Sequence, residues 1–203
     1  MPRLHTPRLA LIPATIATLK AELEGRRQLA RALDADVPPT WPPELYDESA
    51  IRWTLHALET RFLTPDWGMY YVVERLIEGS DRPRLAGVGG LKGPPDSAGT
   101  VEIGYGILSE RRRLGFARET VDALIGWAFT HAAVQRVIAH TLAELTPSIR
   151  VLESAGFTFV GPGADEHEAE AIQYELRREA YAQSGIVRAA FTIVPREGWG
   201  AGE

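Results

Sequence analysis

The sequence predicts an α/β (α+β) fold, a mixed sheet with helices packed on it, and three observations predict it. Short runs rich in β-branched and aromatic residues are bounded by Gly- and Pro-bearing turns. Longer runs repeat apolar residues every three or four positions. The two kinds interleave along the chain instead of segregating. At 203 residues, 45% hydrophobic and 24% charged, the chain can bury one sizeable core, which sets the expectation of one domain over 1–203.

The elements follow in order. "RLALI", from Arg8, alternates polar and apolar residues ahead of Pro13 and reads as a strand. Ile16, Leu19 and Leu23 recur at helical spacing up to Gly25, and a second short helix covers 26–33. Beyond the proline-rich "DADVPPTWPPEL", Ile51, Leu55, Leu58 and Phe62 repeat at helical period. "MYYVVERLI", "RLAGVGGLKG" and "GTVEIGYGIL" are separated by the turns "GSDRP" and "GPPDSAG", which makes an antiparallel meander. A long helix from Phe116 to His131 leads to the strand "RVIAHTL". The helix "PSIRVLESAG" then has Pro147 in its first turn, Gly156 at its end and Thr146 as the expected N-cap. The strands "FTFVG" and "IQYELRR" complete the order, "AAFTIV" receives no assignment and "REGWGAGE" reads as a frayed end.

Composition excludes several chemistries. With no cysteine there are no disulfides, no thiolate metal sites and no cysteine acyl-enzyme. His5, His56, His131, His140 and His167 show no metal-ligand spacing, so no metal is expected. A net charge of −5 argues against general nucleic-acid binding, although a local basic patch can still serve a phosphate. No apolar run is long enough for a membrane span, and the N-terminus lacks an export signal; a cytoplasmic protein is expected.

"SERRRLGFARETVDALIGWAF" poses the sharpest question. Arg111, Arg112 and Arg113 crowd positive charge at the positive end of a helix dipole, which is costly unless an anion sits there. Exposed N–H groups of a first helical turn converge on phosphate, and Gly115 removes a side chain that would block close approach. The plain alternative is a solvated charge run with Gly115 serving only the turn.

"RRLGFA" resembles the Gln/Arg-x-x-Gly-x-Gly/Ala acetyl-CoA loop of the GCN5-related N-acetyltransferase (GNAT) superfamily. "VEIGYGILSERRRLGFARETVDALI", followed by "TPSIRVLESAGFTFVG" and preceded by "TPRLALIP", is similar to its RimJ/RimL-like branch. The likeness spans about 6–178 and leaves 179–203 as an extension of unassigned role. It implies a largely antiparallel sheet splayed between the fourth and fifth expected strands, with helices on both faces. It also implies acetyl-CoA as cosubstrate, with backbone N–H groups of Arg112, Arg113, Leu114, Gly115, Phe116 and Ala117 on the pyrophosphate and the two arginines adding charge. Backbone groups of Ile107 and Leu108 would pair with the pantetheine arm. The implied acceptor is a primary amine, a protein N-terminus or a small molecule. A homodimer is left open.

The sequence departs from the superfamily pattern on the last helix. Where relatives often carry Asn and, seven residues on, a Tyr acid for the thiolate, this chain has Leu145 and Leu152, which cannot hydrogen-bond through their side chains. Ser148 matches a serine to which the branch assigns the thiol contact; it could equally satisfy a helix N–H. For the base, Glu102 lies on the strand where relatives place a carboxylate, while Glu166, Glu168 and Glu170 sit in an acidic loop that could be merely solvated. Trp41, Trp53, Trp67, Tyr70 and Tyr105 are candidates for an acceptor pocket or for core. The alternative to an enzyme that transfers acetyl directly in a ternary complex is a non-catalytic acyl-CoA-binding module.

Overall fold

The computed structural model describes residues 3–75, 82–163, 170–186 and 188–195. Within them the chain runs β1 (Arg3–His5), β2 (Leu9–Pro13), α1 (Ile16–Glu24), α2 (Arg26–Leu33), α3 (Glu48–Glu59), β3 (Met69–Glu74), β4 (Arg84–Leu91), β5 (Thr100–Ile107), α4 (Phe116–Thr130), β6 (Arg136–Leu142), α5 (Thr146–Ser154), β7 (Thr158–Pro162), β8 (Ala171–Arg177), α6 (Arg178–Gln183) and β9 (Thr192–Val194). One nine-stranded sheet results, ordered β7-β8-β6-β5-β4-β3-β2-β1-β9. The β5–β6 pair is parallel and every other pair antiparallel. The expected meander is β3–β4–β5.

Strand alternation divides the core in two. On β2 and β3, Leu9, Leu11, Tyr70 and Val72 pack with Val121, Leu124 and Ile125 of α4 and Leu152 of α5. Their neighbours Ala10, Ile12, Tyr71 and Val73 pack on the other face with Leu19, Leu29, Leu33, Ile51 and Leu58 of α1–α3. Both faces are therefore covered by helices, as the family likeness implied. In the second core the Glu22 carboxylate is buried and accepts from Trp41 Nε1 (2.8 Å), Tyr46 OH (3.1 Å) and Tyr71 OH (2.7 Å). Burial pushes this carboxyl above its usual value, and the three hydrogen bonds only partly offset that. The bonds fasten the proline-rich segment after α2 to α1 and β3.

Two local expectations are corrected. Phe62 is not helical: the chain leaves α3 at Glu59, Arg61 takes φ +59, and Phe62 is exposed while Leu63 turns back to bond the Ala57 carbonyl. Thr146 is not the N-cap of α5. Leu145 is, because its carbonyl accepts from Ser148 N (2.9 Å) and Ile149 N (3.2 Å), and Thr146 is already the first helical residue.

The unassigned tail has a definite place. Arg178 donates to the carbonyls of Phe129, His131 and Val134 behind α4. Ala189 N bonds Asp122 Oδ2 (3.0 Å), and the Phe191 ring lies so close over Gly126 that a Cβ there would come within 2.3 Å of it. "TIV" then pairs as β9 with β1, Leu4 opposite Ile193. Among the described residues no helix is long and apolar enough to cross a membrane.

Candidate active site

The arginine run sits between β5 and α4, and its backbone turns sharply there. Arg113 has φ +62 and Gly115 φ +83, the left-handed region that glycine tolerates and other residues enter at a cost. The first helical bond of α4 is Glu119 N to the Gly115 carbonyl (3.0 Å), and no side chain caps the helix. The N–H groups of Phe116 and Ala117 thus have no acceptor within the helix.

The three arginines point three ways. Arg111, mostly buried, approaches Glu74 (Nε–Oε2 3.5 Å). Arg112 donates Nη2 to Glu44 (2.8 Å) and Nε to the Ile107 carbonyl (3.1 Å). Arg113 is exposed, and among the described residues no acceptor lies on its guanidinium. A fourth, Arg8, escaped notice in the sequence. It donates Nη1 to the Leu114 carbonyl (2.7 Å) and Nε to Glu119 Oε2 (2.7 Å), and lies 5.0 Å over the Phe116 ring. Glu119, buried in the first turn of α4, also accepts from Thr6 Oγ1 (2.5 Å) and Arg8 N (3.0 Å). This network fixes the loop to the N-terminal hairpin. Its only sequence signal was the basic "TPRL" before β2.

Beside the loop the sheet opens. β5 pairs with β6 from Thr100–Arg136 to Ile103–Ala139 and no further, although both strands continue. From Gly104 to Ile107 only β4 flanks β5. A Cβ built on Gly104 would meet nothing within 4 Å; one on Gly106 would meet Pro43 and the Glu44 carbonyl at 3.7 Å. The separation is a cleft, walled on one side by the segment that carries Glu44. At its edge Ile107 and Leu108 are buried, and Leu108 N is taken by the Ala86 carbonyl (2.9 Å).

Glu102 faces the same side of β5 as Gly104 and Gly106. Its Oε1 contacts Lys92 Nζ (2.5 Å) and His140 Nδ1 (3.0 Å). An ionised carboxylate can only accept, so Nδ1 carries the proton. His140 is the first residue of β6 beyond the last β5–β6 pair, its side chain is 8% exposed, and its buried Nε2 has no partner among the described residues. Neither Lys92 nor His140 was a sequence candidate; period-2 alternation on "RVIAHTL" was the available signal. Glu170 is exposed, and Glu166 and Glu168 lie outside the described residues.

The opposite face of β5 carries Tyr105, whose hydroxyl lies 3.1 Å from Ser148 Oγ and 3.2 Å from the Ser148 carbonyl. Burial pushes this phenol up to about 12. Of the other aromatic candidates, Trp41 is bound to Glu22 and Tyr70 is fully buried with its hydroxyl on the Asp66 carbonyl. Trp67 packs against Trp127 and His131, and Trp53 is half exposed on α3. Leu152 is core.

The profile of the acetyltransferase (GNAT) domain matches residues 8–158. The chain belongs to the GNAT acetyltransferase family. As a GNAT protein it is an acetyltransferase. It is 29% identical over 154 residues, 76% of this chain and 88% of the relative, to the uncharacterized N-acetyltransferase YjdG of Bacillus subtilis (strain 168). The GNAT fold is shared with Mycobacterium smegmatis RimJ, solved with CoA-disulfide (TM-score 0.55, 19% identity, 90% of this chain and 88% of that one). It is shared as well with RimL, the ribosomal L7/L12 alpha-N-protein acetyltransferase, solved with coenzyme A (TM-score 0.57, 16% identity, 86% and 97%).

Proposed function

We propose that the chain is an acetyl-CoA-dependent N-acetyltransferase that passes the acetyl group directly to a primary amine in a ternary complex, as one domain spanning 1–203. The observation that carries this reading is the cleft at Gly104, which lies between a helix N-terminus without a side-chain cap and a half-buried carboxylate–imidazole pair. The N–H groups of Phe116 and Ala117 at the mouth of α4, with the backbone of 112–115, suit a pyrophosphate, and Arg113 adds charge. Arg112 would join it by exchanging Glu44, whose side chain is three-quarters exposed, for phosphate; a solvated ion pair of this kind is weak. The edge of β5 beyond Ile103 has backbone to offer a pantetheine arm.

In the chemistry, Glu102 takes the proton an attacking ammonium must lose, directly or through water. Lys92 and His140 keep its carboxylate in place. Amine nitrogen bonds to the acyl carbon and the C–S bond breaks with its electron pair on sulfur, where Ser148 supplies the contact. No cysteine is available for an acyl-enzyme. A protein N-terminus is a fitting acceptor because RimL, by its description, acetylates one. Leu145 and Leu152 favour the second reading, a binding module that kept the cofactor loop but not the acid. Calorimetry with acetyl-CoA followed by transfer assays on a free-N-terminus peptide, a polyamine and an amino sugar separates the two. Steady transfer to any of them supports the enzyme, and tight binding without turnover overturns it.

A further inference from the structure

Helix α5 lacks the phenol that relatives often carry there, yet a phenol reaches the same helix from another element. Tyr105 lies on β5 two residues past its final pair with β6, so it stands where the sheet opens. Its ring packs on the core of α4 and α5, and its hydroxyl ends on Ser148 in the first turn of α5. We infer that Tyr105 is a positioning residue which turns the Ser148 hydroxyl into a hydrogen-bond donor for the departing thiolate. The inference rests on the acetyl-transfer reading above.

Two proton arrangements fit the distances. Tyr105 can donate to the Ser148 carbonyl while Ser148 Oγ–H donates to the phenol oxygen, which consumes the serine proton. Alternatively Tyr105 donates to Ser148 Oγ, which leaves the serine O–H free to turn toward another acceptor. Developing negative charge on sulfur selects the second arrangement, because a hydrogen bond to an ion is about twice as strong as one between neutral groups. The phenol does not hand over its own proton. Burial raises it further above the ordinary thiol value of about 8.5, so at neutral pH it stays protonated and in the second arrangement acts as a donor. The balance is therefore simple. The nitrogen of the ammonium gives up two protons on the way to the amide, one before attack and one as the C–S bond breaks, both through Glu102 to water. The electron pair of that bond stays on sulfur, and the thiolate takes one proton back from water as it departs.

The test titrates the thiol of bound coenzyme A by its thiolate absorbance in the ultraviolet, with desulfo-coenzyme A as blank. It needs no knowledge of the acceptor. Full-length protein is compared with Tyr105→Phe, Ser148→Ala and the double variant, each first shown to bind desulfo-coenzyme A as the parent does. The bound thiol of the parent should be at least about tenfold more acidic than that of free coenzyme A, one unit of pKa. Each single variant should lose most of that gain. The double variant should lose no more than Ser148→Ala alone, since Tyr105 acts through the serine. An unchanged titration in Tyr105→Phe, or losses that add in full, would overturn the inference while leaving acetyl transfer intact. Failure of the parent to bind coenzyme A would overturn the acetyl-transfer reading and this inference with it.

Discussion

The two faces of β5 are built to opposite rules. Val101, Ile103 and Ile107 are buried against α4 and its neighbours, and Tyr105 packs beside them; Glu102, Gly104 and Gly106, on alternate positions, border a gap. One face is held by apolar packing and can keep a phenol neutral. The other gives up packing, and with it stability, to leave room for a charged pair and a reacting group. Under the proposed mechanism, a single strand with period-2 alternation would supply a donor from one face and a base from the other.

The contrast can be broken at its ends. The largest effect is expected from Gly115→Val, where a β-branched residue is forced to φ +83 at the mouth of α4. Calorimetry should register no acetyl-CoA binding while circular dichroism stays native; unchanged affinity would remove the phosphate-loop assignment. Next comes Gly104→Leu, whose Cβ would meet nothing within 4 Å, so the melting temperature should hold while acetyl transfer falls by about 10²-fold. Its counterpart on the packed face, Ile103→Ala, should instead cost about 2–5 kcal/mol in urea unfolding. If Gly104→Leu keeps its activity, the gap is not the reaction site.

Sharpening the contrast requires the charged pair. Glu102→Gln should lower kcat by at least about tenfold at neutral pH, leave acetyl-CoA affinity nearly unchanged, and recover partly at high pH where free amine is plentiful. Full activity in this variant, with loss on substituting Glu166, Glu168 or Glu170, would move the base to the loop. The smallest effect belongs to the arginines. Replacing Arg112 and Arg113 by Ala should weaken acetyl-CoA binding several-fold at low salt and less at high salt, because exposed charge is screened. A loss independent of salt would mean that Arg112 serves chiefly to hold Glu44 and the Ile107 carbonyl.

Most of this architecture was legible in local pattern. β6 and α4 follow from alternation and helical period within their own residues, and the expectation of an anion at "RRRLGFA" follows from the dipole. What was not legible joins residues far apart. Glu102 meets His140 only because β5 and β6 run parallel in the register that sets Glu102 beside Ile138. Tyr105 meets Ser148 only because α5 packs over the open end of that pair. Arg112 was expected to add charge at a phosphate site, and a carboxylate from the proline-rich segment already holds its guanidinium. The start of α5 at Leu145 was missed because side-chain rules look for a capping hydroxyl, and no side chain caps this helix.

The pairing of β9 with β1 also has a consequence in time. The two strands are nearly the whole described chain apart, so during synthesis β1 emerges early and its outer edge waits for a partner that comes last. At ribosomal speeds of about 5–20 residues per second the wait is on the order of ten to forty seconds. With only three residues, β1 offers a stray strand little to pair with in that interval, which makes its shortness a protection for the growing chain.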